Sequence, residues 1–163
     1  MLGRGLAAAA LVALVDQLSK AWILQRFAET GLPDMVPPVS WFFGLTLTAN
    51  HGMSFGLFNN AAALNTVIFT ALAALIVGAL VVWLKGVHQT LLALALGLVI
   101  GGAVGNVIDR LSRDGAVVDF IEMHLAGWRF PWIFNVADAA ISIGVGLMVI
   151  DSLLGRGKAP NPS

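Results

Sequence analysis

The sequence predicts an all-α integral membrane protein with four transmembrane helices, and three observations predict it. Of its 163 residues 58% are hydrophobic and 11% charged, against about 45–50% apolar residues in a soluble domain, so a water-soluble globule is excluded. Mean hydropathy is +0.88. The apolar residues also gather into four runs near the ~20 residues that a spanning helix needs. At 17.1 kDa the chain forms one membrane-embedded domain, residues 1–163, and its zero formal charge and pI near 6.8 give no footprint for nucleic acid. With no cysteine, disulfides, thiolate nucleophiles, zinc ribbons and iron–sulfur clusters are excluded. Any chemistry falls to Asp, Glu, His, Ser, Lys or Arg.

The first run is the shortest. Gly5 to Val15 is apolar, but Asp16, Gln17, Ser19 and Lys20 follow, so it reaches spanning length only if the helix continues to about Leu24. Arg4 and the alanine-rich core also resemble a cleavable signal peptide; no small-residue cleavage site follows sensibly, so the segment is expected to stay as the first helix. The connection 25–60 carries a proline-rich turn (Leu32-Pro33-Asp34, Pro37-Pro38) that blocks helix. Gly44-Leu45-Thr46-Leu47-Thr48 then alternates like a strand. Helix two is expected over Ala61 to Leu84 without a single charge, and a hairpin, Lys85 to Gln89, leads to helix three, Thr90 to Ile108. The connection Asp109 to Pro131 precedes helix four, Trp132 to Ile150, and the tail from Gly155 is expected to be disordered. Trp41, Phe42 and Phe43, with Trp128, Phe130 and Trp132, fit aromatic belts at headgroup level.

Four spans put both long connections on one side and the hairpin and termini on the other. The termini and hairpin hold four Lys/Arg in 22 residues, the long connections four in 59. By the positive-inside rule this places the termini in the cytoplasm and the long connections outside.

The informative residues are those a bilayer disfavours. Asn135, Asp138 and Ser142 (i, i+3, i+7) lie within about 60° on one helix face. Gly102, Asn106 and Asp109 share a face of helix three, where Gly101 and Gly105 permit close approach. Asp16, Ser19 and Lys20 share a face of helix one. All three stripes occupy helix ends on the side of the long connections. Asp16, Lys20, Asn106, Asp109 and Asp138 therefore converge at one depth, beneath connections that supply Asn50 and Asp119. Two readings stay open here: Asp16 with Lys20 and Asp109 with Arg110 are either functional or ordinary ion pairs closing helix ends, and Asn106 and Asn135 are either site residues or interhelical hydrogen-bond glue.

A carboxylate at membrane depth costs about 2.5–3.5 kcal/mol near the centre on insertion scales, which singles out Asp138. Asp119, within the apolar Val117-Val118-Asp119-Phe120-Ile121, is its companion, although a lone loop aspartate is also read as a solvated or capping residue. His51, His88 and His124 lie on two sides with no metal-ligand spacing and are taken as non-catalytic. Ser19, Ser54 and Ser142 have no histidine partner and no G-x-S-x-G turn. Two carboxylates within about 3–5 Å share one proton: the ionised member takes a proton from water and the neutral one hydrogen-bonds a scissile carbonyl. That chemistry hydrolyses peptides without a metal.

Four blocks resemble the lipoprotein signal peptidases, bacterial signal peptidase II. They are Asp16-Gln17-Leu18-Ser19-Lys20; Asn50-His51-Gly52-Met53-Ser54-Phe55-Gly56; Gly101 to Arg110 followed by Val117-Val118-Asp119-Phe120; and Phe134-Asn135-Val136-Ala137-Asp138. They occur in the family's order from Asp16 to about Ser142. The resemblance implies an aspartic endopeptidase of the bacterial cytoplasmic membrane, with no cofactor, that cuts a prolipoprotein just before its S-diacylglyceryl cysteine. It implies Asp119 and Asp138 as the catalytic pair. It implies polar support from Asp16, Lys20, Asn50, Gly52, Asn106, Asp109, Arg110 and Asn135. It further implies an extracytoplasmic strand-containing cradle in the first connection and an interfacial helix in the second. The expected partners are diacylglyceryl-modified prolipoproteins and membrane lipid, and the expected state is a monomer. Ser54 stands where many members have alanine.

Two rivals from other classes remain. An ion-coupled transporter would use Asp138 and Asp16 as a relay, but transport sites lie near the midplane, whereas these acids gather at one end. A non-enzymatic assembly or lipid-binding subunit would tolerate Asp119→Asn together with Asp138→Asn.

Overall fold

A computed structural model describes residues 1–31, 35–36, 41–52, 62–125 and 128–155. The proline-rich turn, Ser54 and the tail beyond Gly155 lie outside them. The element order is α1 (Leu2–Thr30), β1 (Met35–Val36), β2 (Phe43–Asn50), α2 (Ala62–Lys85), α3 (Thr90–Ser112), β3 (Val117–Leu125), β4 (Trp128–Arg129) and α4 (Val136–Gly155). All four helices contain a stretch long and apolar enough to cross a membrane.

The most buried helix is α3, which packs against α1, α2 and α4. Small residues make this possible: a Cβ added to Gly105 would stand 2.5 Å from Asp16 Oδ2, so only glycine lets α1 and α3 close over a buried carboxylate. Helix α2 is apolar on all sides and faces outward along much of its length, with Leu75, Val82 and Val67 exposed, as befits a lipid-facing span. Its lower end joins Ala9, Val87, Ala93, Leu96 and Ile100 in an apolar cluster around Leu84 at the hairpin end.

Three helix boundaries differ from expectation. α1 begins at Leu2 and runs to Thr30, where Gly31 takes a left-handed conformation (φ 57°) that ends it. α3 continues past Ile108 to Ser112, with Ser112 Oγ donating to Ile108 O. α4 starts at Val136, not at Trp132, because Asn135 caps it: Asn135 Oδ1 accepts from Asp138 N at 2.9 Å and Ala139 N donates to Asn135 O. The apolar run Trp132-Ile133-Phe134 instead precedes the helix without regular structure, except that Phe134 is bridged to Ile121.

The strand expected over 44–48 is present as β2. The interfacial helix implied for the second connection is not found among its described residues, which form β3 and β4. The β-branched and aromatic run Val117 to Ile121 favours a strand, and β2 offers it an edge to pair with. The strands form an antiparallel sheet in the order β1-β2-β3-β4. In register, Asn50 lies opposite Val117 and Thr48 opposite Asp119. Val118 and Phe120 pack against Ile23 and Phe27 of α1, and this apolar contact seats the sheet on the bundle at the ends where the three polar stripes emerge.

Candidate active site

At the base of the site lies a cluster of charges with no solvent exposure. Lys20 Nζ is 2.8 Å from Asp16 Oδ2 and 2.9 Å from Asp109 Oδ2, and all three side chains are 0% exposed. Two carboxylates about one ammonium leave an excess negative charge, which Arg113 neutralises at Asp109 Oδ1. Each acid has a further task. Asp16 Oδ1 accepts from Ala137 N at 2.9 Å, so α1 caps the first turn of α4. Asp109 Oδ2 accepts from Val118 N at 3.0 Å, which pins the start of β3. Gln17 Nε2 knits the cluster by donating to Asp109 Oδ1 (2.9 Å), Gly105 O (3.1 Å) and Asp16 Oδ2 (3.2 Å). Asp16 and Lys20 are thus paired as their spacing suggested. Asp109 pairs with Lys20 and Arg113, not with Arg110.

Above this base stand two asparagines. Lys20 Nζ donates to Asn106 Oδ1 at 3.2 Å, which turns the amide so that Asn106 Nδ2 donates to Asp138 Oδ1 at 2.8 Å. Asn135 Nδ2 faces Asp119 Oδ1 at 2.7 Å, with Asn106 Oδ1 and Val118 O close by. Asn135 N donates to Asp138 Oδ2 at 3.2 Å while its Oδ1 accepts from Asp138 N, a reciprocal capping box. Both asparagines bond each other across helices, and each also holds a carboxylate.

Asp119 and Asp138 come to the same place from β3 and from the first turn of α4, joined through Asn135. Asp119 is 2% exposed; Asp138 is half-buried at the positive end of α4. Burial pushes the Asp119 carboxyl up from 3.8 to about 6; hydrogen bonds from Asn50 and Asn135 and the charge of Lys20 oppose this, and the negative charge of Asp138 adds to it. Asn50 Nδ2 reaches Asp119 Oδ2 at 2.9 Å, and Asn50 Oδ1 accepts from Gly52 N at 2.8 Å. Gly52 needs φ +77°, and a Cβ there would strike Phe69 at 2.5 Å. Arg110 lies over the Phe69 ring, 5.6 Å from its centroid, donates to Asn106 O at 3.4 Å and feels the fields of Asp138, Asp119 and Asp109.

All ten residues singled out in the sequence therefore belong to one connected assembly. The sequence reading missed Gln17, Arg113 and Phe69. Arg113 had a signal, its i+4 spacing from Asp109. It also missed Glu122, buried on the sheet, where Thr46 Oγ1 donates at 2.7 Å and Arg129 Nε approaches to 2.5 Å. These contacts, with His124 at 3.5 Å, outweigh the opposing effect of burial and hold the Glu122 carboxyl below its ordinary range. His124 is thus a sheet residue beside Glu122.

Two clefts open on the carboxylates. One, about 380 Å³, is lined by Asp119 with Thr48, Asn50, His51 and the Pro131–Ile133 segment. The other, about 370 Å³, lies along α4 between Asp138, Ala139, Ser142, Ile143 and Phe134. The first is mixed in polarity and faces the sheet. The second is apolar and runs along the spanning part of α4. Two carboxylates tied to one asparagine, one buried and raised and one at a helix start, each open to its own cleft, have the groups that general acid–base chemistry needs.

Comparison with known proteins agrees. Residues 8–154 match the family model described as signal peptidase (SPase) II. A lipoprotein signal peptidase of Rhodopseudomonas palustris is 41% identical over 160 residues, 94% of each chain. One of Burkholderia multivorans is 44% identical over 147 residues, 88% of this chain and 83% of that one. A bacterial membrane enzyme solved by the in meso method at 2.3 Å superposes with a TM-score of 0.77 at 30% identity, over 99% of this chain and 94% of that one.

Proposed function

The chain belongs to the signal peptidase II family, an aspartic protease family, and from that premise we propose that Asp119 and Asp138 are the pair that cuts prolipoproteins before their S-diacylglyceryl cysteine. It is a multi-pass bacterial membrane protein that removes lipoprotein signal peptides. The carrying observation for the pair is Asn135, whose side-chain amide holds Asp119 at 2.7 Å while its backbone N–H holds Asp138 at 3.2 Å.

In the proposed reaction a water sits between the carboxyls. Asp138, its two oxygens already facing N–H donors, takes a proton from that water, whose oxygen bonds to the scissile carbonyl carbon. Asp119, protonated below a pKa of about 6, hydrogen-bonds the carbonyl oxygen as it gains charge. The C–N bond then breaks, the proton passes to the departing nitrogen, and the carboxyls share one proton again. Since the two groups are coupled, the proton belongs to the pair in each resting state. Asp16, Lys20, Asn106 and Asp109 keep α4 and β3 in register, Asn50 and Gly52 hold Asp119 from the other side, and Arg110 offers a cation to the substrate backbone. The active site faces the extracytoplasmic side and the termini face the cytoplasm, a reading supported by the Lys/Arg balance.

The test uses purified protein with a diacylated and a matched non-lipidated precursor. Signal peptide is expected from the lipidated one alone, and from the wild type but not Asp119→Asn. Equal cleavage by Asp119→Asn would remove the dyad, and equal cleavage of both precursors would remove the lipid requirement.

A further inference from the structure

The sheet carries a cavity that the proposed reaction leaves unused. Strand alternation puts Asp119, Ile121, Met123 and Leu125 on one face of β3, so the face that begins at the reactive carboxyl continues outward as an apolar track. At about 3.3–3.4 Å per residue, Met123 stands some 13 Å along it. The track opens into a groove of about 520 Å³ between Trp41, Phe42, Met123, Leu125, Phe130 and Trp132, with Phe134 and the His124 ring also in its wall and almost all of its surface apolar. That volume falls within the range of about 300–1,000 Å³ typical of ligand sites. Phe130 in this wall meets Trp132 at a tilt and Trp128 edge-on, with ring centroids 5.4 Å apart in each pair.

Two residues join this groove to the reactive centre. Trp132 is also a wall of the cleft that holds Asp119, and Phe134 is also a wall of the cleft that holds Asp138. A group attached next to the cleaved bond therefore reaches the groove without leaving the site. Met123 is 38% exposed, Leu125 66% and Trp132 63%, so a patch of large apolar side chains lies open here, of the kind that marks a binding surface. The inner end of the groove is held in shape by Glu122, which ties β2 through Thr46 and β4 through Arg129.

Resting on the function proposed above, we infer that this groove receives the acyl chains of the substrate's diacylglyceryl group, from the glyceryl end outward. Hydrocarbon is the one part of that substrate that matches the lining, since each buried methylene contributes about 0.8 kcal/mol and the groove wall presents almost no polar partner for a peptide backbone.

The experiment compares one precursor peptide carrying either short or long acyl chains, cleaved by the purified full chain. Two variants act on exposed positions: Met123→Trp fills the groove, and Leu125→Glu makes its mouth polar. For the wild type kcat/KM is expected to rise with chain length. In both variants the ratio of long-chain to short-chain kcat/KM is expected to fall about tenfold, which corresponds to 1.4 kcal/mol, through KM. An unchanged ratio, or an equal loss on both precursors, overturns the inference and assigns the groove to the peptide or to the resting sheet. Failure of the wild type to cleave any lipidated precursor would instead overturn the function on which the inference rests.

Discussion

Strand β3 is anchored by two carboxylates, one near its start and one past its middle, and the two anchors are built differently. At the inner anchor Asp109 takes Val118 N within a cluster of Asp16, Lys20 and Asp109 that water does not reach. At the outer anchor Glu122 is gripped by Thr46 and by Arg129, whose own side chain is 53% exposed. The inner anchor lies next to Asp119, the outer one beside the apolar groove. A dry, fully paired ion cluster holds the start of β3, and with it Asp119, in place, since in low dielectric any member left alone is costly. The outer pair is half in water, so it contributes less to holding the sheet.

The widest break in this contrast comes at the dyad. Asp119→Asn and Asp138→Asn are each expected to lower kcat by about 10³-fold or more, and the double variant no further, because groups that act as a unit are not additive; single-turnover cleavage of a lipidated precursor reads this. Next is Lys20→Met, which strands Asp16 and Asp109 in a dry core and is expected to cost about 3–5 kcal/mol, seen in thermal or denaturant unfolding in detergent.

That ordering also explains what was legible. The inner cluster and the asparagines above it lie on helices, where i, i+3, i+4 and i+7 spacing puts Asp16 with Lys20 and Asn135 with Asp138 on shared faces, and topology then brings three helix ends together. Sheet contacts have no such periodic trace. Glu122 meets Thr46 across 76 positions, and Val117 to Ile121 reads as a bare apolar stretch until β2 is beside it. The apolar run starting at Trp132 suggested a helix start, but the capping box at Asn135 and Asp138 outranks apolar content in setting where α4 begins.

Smaller effects refine the comparison. Asn50→Ala removes a donor that favours ionised Asp119, so the carboxyl should rise further: kcat is expected to fall about tenfold, and the alkaline limb of the pH–rate profile, expected near pH 6 in the wild type from the raised carboxyl, should move upward. The same raised carboxyl sets a stability trend. The folded state binds this proton more tightly than the unfolded chain, whose value is near 3.8, so Asp119's contribution is full below about 4 and lost as pH rises through about 6. The slightest change is expected for Arg129→Ala, below about 1 kcal/mol in the same unfolding assay, because that pair is half in water.

The pairing of the two carboxyls is tested most directly by titrating Asp119, by carboxyl-selective infrared or carbon NMR, in the wild type and in Asp138→Asn. With Asp138's negative charge present the Asp119 midpoint is expected near 6, and without it the midpoint should fall. A midpoint that stays put, or that lies near 3.8 in both proteins, would mean that the two acids do not sense one another and that the hydrolytic pair is wrongly assigned.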